Sequence, residues 1–395
     1  MTAIRANIPK LYAFSGSYML LVLLPVFIPF LLDRGLLMEQ VFQLQAIFAF
    51  SVIAFEIPSG YIADLWGRKN CLIVGGLCNG LGYSLLLWTD SFWGFVAYEV
   101  LLGIAASMYS GADVALLYDS LEHLQESVRE KQRAVGNILA SRSIAEALAA
   151  VLNSLILIFG VVHDVLLLQV ICGWLPLVIS LRLVEVRART VSASHLDNFK
   201  KIARQLFWDS KLIRYISLTM TVWGMSTFYA VWLFQKYWLE AGVELSYFGW
   251  LWALYNFTVA VTSKITHRIE LKFGSVLLLL LMGVLPILAY LSMALSIGLL
   301  GVVSGLLFQV ARGIHQVSLK DALNRRIPSD FRATTNSIIS FGFRGTFLVS
   351  GPAVGYMVDQ LGLQTSLYVL AGLFSILFLV IIIPFMRCLS FEAQN

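Results

Sequence analysis

Residues 60–69 read Gly60-Tyr61-Ile62-Ala63-Asp64-Leu65-Trp66-Gly67-Arg68-Lys69, a short polar interruption between two apolar runs, 40–62 and 71–88. Each run approaches the ~20 residues that a bilayer-spanning helix needs. The connection between them is therefore a tight turn between two membrane helices. Gly67 permits that turn, and Gly60 lets two helix ends approach closely. Asp64 is a short carboxylate suited to capping the positive N-terminus of a facing helix.

The same pattern extends over the whole chain. Of its 395 residues 59% are apolar and only 13% charged, against roughly 25% charged in soluble domains. A soluble enzyme with a wet surface is excluded. A transmembrane β-barrel would alternate apolar and polar residues in ~10-residue segments, a period that is absent. Breaking the chain at charges and turn residues predicts twelve helical spans. Six lie near 9–32, 40–62, 71–88, 92–117, 135–159 and 165–183, and six near 213–235, 245–265, 275–294, 297–320, 334–357 and 364–386. The expected fold is all-α and polytopic, because backbone groups in lipid must pair within their own segment. The first apolar run ends in Leu31-Leu32-Asp33-Arg34 rather than in small residues, so it reads as an uncleaved span. The four cysteines lack CxxC spacing and read as small buried hydrophobes.

The net charge of +5 reports membrane orientation, not affinity for nucleic acid. With the N-terminus inside, 23 of the 28 basic residues fall in cytoplasmic segments, and two, Arg34 and Lys236, fall outside. The remaining three, Arg142, Arg312 and Arg344, lie within spans. This bias places both termini in the cytoplasm of a plasma or bacterial inner membrane.

The chain divides into a six-helix bundle over 1–183, a polar connection over 184–212 and a second six-helix bundle over 213–395. In the connection Leu196, Phe199, Ile202, Ala203, Leu206 and Phe207 recur at helical spacing opposite Lys200, Lys201 and Arg204. That pattern predicts an amphipathic linker helix on the inner membrane surface. The bundles also look repeated. At a constant offset of 202, Gly111 matches Gly313, Asp119 matches Asp321 and Arg142 matches Arg344. Repeated halves with a site between them are how many secondary transporters are built.

The loop at 60–69 resembles the signature G-x-x-x-D-x-x-G-R-K/R of the major facilitator superfamily, and it stands between spans 2 and 3 where that family carries it. The resemblance extends through span count, repeat and topology. It implies that Asp64 caps the start of span 11 and that Arg68 pairs with the acid ending span 4, here Asp119. Gly60, Asp64, Gly67, Arg68 and Asp119 would then form a conformational latch. The chain departs from the family in three places. Leu65 stands where many members have arginine, Glu99 and Gly103 replace the arginine–glycine pattern of drug exporters in span 4, and span 5 lacks their G-x-x-x-G-P. A standard drug/proton antiporter does not fit these departures.

A charge near the bilayer centre costs at least ~2.5–3.5 kcal/mol, so ionisable groups within spans are functional candidates. The first half holds Glu56, Glu99, Asp113 and Glu146 against Arg142 alone. Four acids around one arginine cannot all stay ionised in low dielectric, which makes them candidates for proton coupling. Asp113 and Glu146 lead, since Arg142 lies at a similar depth and Glu146 and Asn153 continue its face. The alternative for Asp113, Arg142 and Glu146 is a fixed structural triad. Glu56 and Glu99 lie nearer the inner and outer ends.

In the second half Gln309, Arg312 and Gln316 recur on one face of span 10, with His315 beside them and Arg344 near the middle of span 11. Two guanidiniums without local acids suit an anionic group, or pair with first-half acids across a cavity. Trp223, Tyr229, Tyr255 and Asn256 lie deep in spans 7 and 8, and Tyr18 with Tyr12 and Ser15 in span 1, where they could contact an organic substrate. Tyr237, Trp238 and Tyr247 are expected in an interfacial belt.

The chain carries no P-loop and no metal-ligand spacing, so neither ATP, a cofactor nor a metal is expected, and no enzymatic chemistry. The reading is a monomeric secondary transporter working by alternating access. It would move a small or medium organic solute, with an anionic group as one option, coupled to protons; the loop at 60–69 tilts the direction toward efflux. The alternatives are a proton-coupled importer or uniporter of an organic anion, and a non-transporting receptor or assembly factor.

Overall fold

The computed structural model describes residues 2–186, 210–328 and 331–392; the side chains of 57, 64, 333 and 390–392 are outside the description. The amphipathic pattern at 196–207 and the Asp64 side chain therefore lie outside the described residues. Among the described residues the chain folds as helices joined by short non-helical connections, with no strand.

In the first half the helices are α1 (Thr2–Arg5), α2 (Asn7–Ser17), α3 (Phe27–Asp33), α4 (Met38–Trp66) and α5 (Arg68–Leu85). They continue with α6 (Phe92–Tyr109), α7 (Ala112–His123), α8 (Val128–Phe159) and α9 (Val162–Leu181). The second half holds α10 (Lys211–Leu218), α11 (Gly224–Glu240), α12 (Phe248–Phe273), α13 (Ser275–Leu295) and α14 (Leu299–Arg326). It closes with α15 (Arg332–Leu361), α16 (Leu363–Leu377) and α17 (Ile383–Glu392). Among the described residues seven helical stretches are long and apolar enough to cross a membrane on length and composition alone. The other five spans are 1, 3, 8, 10 and 11, and the first of these is broken.

Two spans are not the single helices that their apolar runs suggest. Span 1 leaves helical geometry after Ser17 and regains it through a 3₁₀ turn, Leu24–Val26, before α3. Pro25 and Pro29 lack the N–H groups a continuous helix needs. Span 4 breaks at Ser110-Gly111, where Gly111 has φ +79° and starts α7. Span 7 stays continuous but widens to a π-helix over Thr219–Trp223, a form that concentrates at functional sites.

The helices form two compact units. Of the described residues the first comprises 2–36, 43–186 and 245–250, and the second comprises 37–42, 210–244, 251–328 and 331–392. In the first, α5 and α9 pack closely because small residues remove side chains from the seam. A Cβ on Gly76 would lie 2.7 Å from the Leu177 main chain, and one on Gly80 2.4 Å from the Trp174 ring. The Asn79 amide donates to the Gly173 carbonyl at 2.8 Å across the same seam.

In the second unit glycines serve as notches for tyrosines. A Cβ on Gly301 would fall 1.7 Å from the Tyr237 hydroxyl, and one on Gly305 1.9 Å from the Tyr255 hydroxyl. Tyr237 and Trp238 are fully buried, which corrects their assignment to an interfacial belt. The Tyr237 hydroxyl donates to the Ser296 carbonyl at 2.8 Å, so its polar end is satisfied inside the protein. Tyr247 is exposed, as a belt residue is. At the far end of α15, Asp359 accepts the main-chain N–H groups of Met38 and Glu39 at 3.1 and 2.7 Å, capping the start of α4.

Candidate transport site

The break in span 4 places Asp113 in the first turn of α7, where the helix dipole favours a carboxylate. Asp113 is fully buried. Its Oδ2 accepts the Ser15 hydroxyl of α2 at 2.6 Å and an Nη2 hydrogen of Arg142 on α8 at 2.5 Å. Three neighbouring spans thus meet at one carboxylate. The Arg142 side chain keeps a quarter of its surface accessible, so one side of the pair is open.

Aromatic rings frame this pair. The Arg142 guanidinium lies 5.3 Å from the Tyr18 ring centroid, within cation–π range. Tyr18 stacks on Tyr109 at 4.9 Å, and Phe14 meets the Tyr109 ring edge-on at 5.1 Å. The Tyr109 hydroxyl is buried without a partner among the described residues. Tyr12 is half-buried, and Asn137 donates to its hydroxyl at 3.4 Å. Tyr109 did not stand out in the sequence, because a tyrosine closing an apolar run carries no positional signal.

The other acids are placed differently. Glu146 is half-buried, one turn beyond Arg142 on α8. Glu99 is almost fully buried and accepts the Gln45 side-chain amide at 2.7 Å, well above the break along span 4. Glu56 is half-buried in the C-terminal half of α4. Asn153, three turns along α8 from Arg142, donates to the Val22 carbonyl at 2.9 Å. Gln169 of α9 accepts the Leu23 N–H at 3.1 Å. These two buried amides satisfy the backbone that span 1 frees where it unwinds.

At the start of α5, Gly67 has φ +94°, and Arg68 pairs with Asp119 at the far end of α7. A second acid, Glu185, accepts the N–H groups of Arg68 and Lys69 at 3.1 and 2.8 Å. The segment carrying it is held by Asn7, whose amide accepts from the Val184 N–H and donates to the Val184 carbonyl and the Ser120 hydroxyl. Nothing among the described residues lies within 4 Å of a Cβ built on Gly60.

In the second unit Gln309 is buried, Arg312, His315 and Arg344 are half-buried, and Gln316 is exposed. Among the described residues the His315 Nε2 and the Thr219 hydroxyl are buried without a hydrogen-bond partner. The imidazole Cε1 lies 3.5 Å from a Cβ built on Gly224, just past the π-helix. Trp223 is enclosed and donates to the Met282 carbonyl at 3.0 Å. Tyr255 is likewise buried and donates to the Val302 carbonyl at 2.5 Å. Both are held by helix packing. Tyr229 is buried and donates to the Ser350 hydroxyl at 2.5 Å, while Asn256 is half-buried.

The sequence profile of the Major Facilitator Superfamily matches residues 11–344. The chain belongs to the major facilitator superfamily. It is 22% identical over 363 residues to an uncharacterised MFS-type transporter of Bacillus subtilis (strain 168), YxaM, with 88% of each chain covered. The fold is similar to that of the nucleoside transporter NupG, with a TM-score of 0.72 at 13% identity over 98% of both chains. It is also similar to that of a D-xylose–proton symporter, with a TM-score of 0.71 at 13% identity, covering 96% of this chain and 97% of that one. At such identities the likeness establishes the twelve-helix, two-bundle architecture. A facilitator of this family is a membrane transporter of a solute and not an enzyme, so the Asp113 cluster is a transport site candidate.

Proposed function

We propose that this facilitator carries a small or medium organic anion together with a proton across a cytoplasmic membrane, by alternating access, with both termini in the cytoplasm. The observation that carries this reading is the Asp113–Arg142 pair, a fully buried carboxylate held by one guanidinium, the Ser15 hydroxyl and the Val114 N–H. While Asp113 is ionised, it occupies Arg142. Protonation removes the charge that holds the guanidinium, and Arg142 becomes available to a carboxylate or phosphate, which its planar fork can bind bidentately. Proton and anion then load together and leave together. That linkage favours uptake driven by an inward proton gradient, the reverse of the direction suggested by the loop at 60–69.

Purified protein in proteoliposomes, given an imposed pH gradient and a panel of carboxylates, sugar phosphates, nucleosides and neutral sugars, tests this. An anionic solute is expected to accumulate in wild-type vesicles. In Asp113→Asn vesicles it exchanges across the membrane but does not accumulate. Gradient-driven accumulation by Asp113→Asn at the wild-type level sinks the proposal.

A further inference from the structure

Asp113 and Asp119 stand six residues apart on the short helix α7, about 9 Å along its axis at ~1.5 Å per residue. Each reaches a different helix, Asp113 pairing with Arg142 of α8 and Asp119 with Arg68 at the start of α5. Both ends of α7 leave helical geometry through left-handed backbone, at Gly111 (φ +79°) and at Gln125 (φ 57°). Nothing among the described residues lies within 4 Å of a Cβ built on Gly111. This glycine is therefore required by backbone conformation and not by crowding.

The repeat supplies the contrast. Gly313, which matches Gly111 at the offset of 202, lies inside the unbroken α14. There a Cβ would come 2.8 Å from the Thr262 side chain and 3.0 Å from the Val259 carbonyl, so this copy is a packing notch. Asp321, the match of Asp119, pairs with Arg325 one turn along its own helix. Among the described residues α14 thus has no break at Gly313, and the ion pair of Asp321 stays within its own helix.

We propose that α7 is a lever jointed at Gly111, so that releasing the Asp113–Arg142 pair loosens the Asp119–Arg68 pair and the start of α5. A short rigid helix bounded by two left-handed residues moves as one body, and its two acids report to each other through it. The inference rests on the Asp113–Arg142 pair being the working site. It adds a mechanical consequence, and by linkage the effect must run in both directions.

Hydrogen–deuterium exchange of the full chain in lipid nanodiscs, without added solute, tests the lever. Asp113→Asn removes the charge as a proton would, and is expected to raise exchange at residues 67–72 and 117–125 at least tenfold. Residues 275–295, in the other unit, stay at the wild-type rate. Gly111→Ala favours fusion of α6 with α7, and in the Asp113→Asn background it should cut the rise at 67–72 to under threefold. Gly111→Asn preserves transmission, because asparagine tolerates left-handed backbone. Asp119→Asn should raise exchange at 138–145 in return, and this arm decides alone if Asp113→Asn does not fold. Unchanged exchange at 67–72 in a folded Asp113→Asn protein overturns the proposal, as does full transmission through Gly111→Ala or an unmoved 138–145 in Asp119→Asn. Wild-type accumulation by Asp113→Asn with transmission intact would refute the transport reading alone; loss of accumulation without transmission would refute only the lever.

Discussion

Glu185 closes the first turn of α5, with its Oε2 accepting the Lys69 main-chain N–H at 2.8 Å and its Oε1 that of Arg68 at 3.1 Å. The acid stands more than a hundred residues from the amides it caps. It joins the end of span 6 to the loop that carries the family signature, and both backbone donors gain a charged acceptor.

Removing this cap should therefore be felt in stability. Glu185→Ala is expected to cost about 1–2 kcal/mol, read as a lowered thermal midpoint of the detergent-solubilised protein. Glu185→Gln, which keeps one accepting oxygen, should fall between. A midpoint unchanged in Glu185→Ala would mean that water replaces the carboxylate without loss.

The two glycines of the signature should respond with opposite sign. Gly67→Ala forces a left-handed residue and sets a Cβ 2.6 Å from the Glu185 carboxylate, a loss of about 1–2 kcal/mol. Gly60 lies in helix with open space around it, so Gly60→Ala should be neutral or add up to about 1 kcal/mol. Paired thermal melts compare them directly.

Asn153 and Gln169 should matter for folding rather than for turnover. Asn153→Leu strands the Val22 carbonyl and Gln169→Leu strands the Leu23 N–H, each at about 1–3 kcal/mol. Chemical denaturation in mixed micelles should register both, and the two losses should not be restored by raising the proton gradient in a transport assay.

Gly305 and Tyr255 should be energetically coupled. Gly305→Ala drives a Cβ to 1.9 Å from the Tyr255 hydroxyl, displacing a buried ring. Tyr255→Phe removes the hydroxyl and should recover part of the loss, leaving an interaction energy of about 0.5–3 kcal/mol in the double-mutant cycle. Strict additivity would place the two residues out of contact.

Much of this was legible in the sequence because lipid makes charge conspicuous. Asp113 and Arg142 stood out as ionic residues in apolar runs, and the Arg68–Asp119 pair followed from the resemblance carried by residues 60–69. The break at Gly111 was hidden, since the run at 92–117 is apolar on both sides and an identical glycine occupies the matching place in the second half. A glycine used for left-handed backbone and one used for close packing look alike until their surroundings are known. Tyr237 and Trp238 misled for a related reason. Aromatic residues near a span end suit both a membrane interface and a buried notch, and only the missing side chain of Gly301 decides between them for Tyr237. The role of Asn153 required knowing that span 1 unwinds, for which Pro25 and Pro29 were the available signal.

The unwound stretch of span 1 also bears on how the polypeptide is made. Val22 waits for Asn153 and Leu23 for Gln169, separations of 131 and 146 residues. During synthesis the first segment leaves the ribosome long before either amide exists, with polar backbone that hydrocarbon cannot satisfy. Span 1 enters the bilayer before both partners and is therefore late to reach its final shape, and it must be sheltered by the insertion machinery or by a provisional helix until spans 5 and 6 arrive.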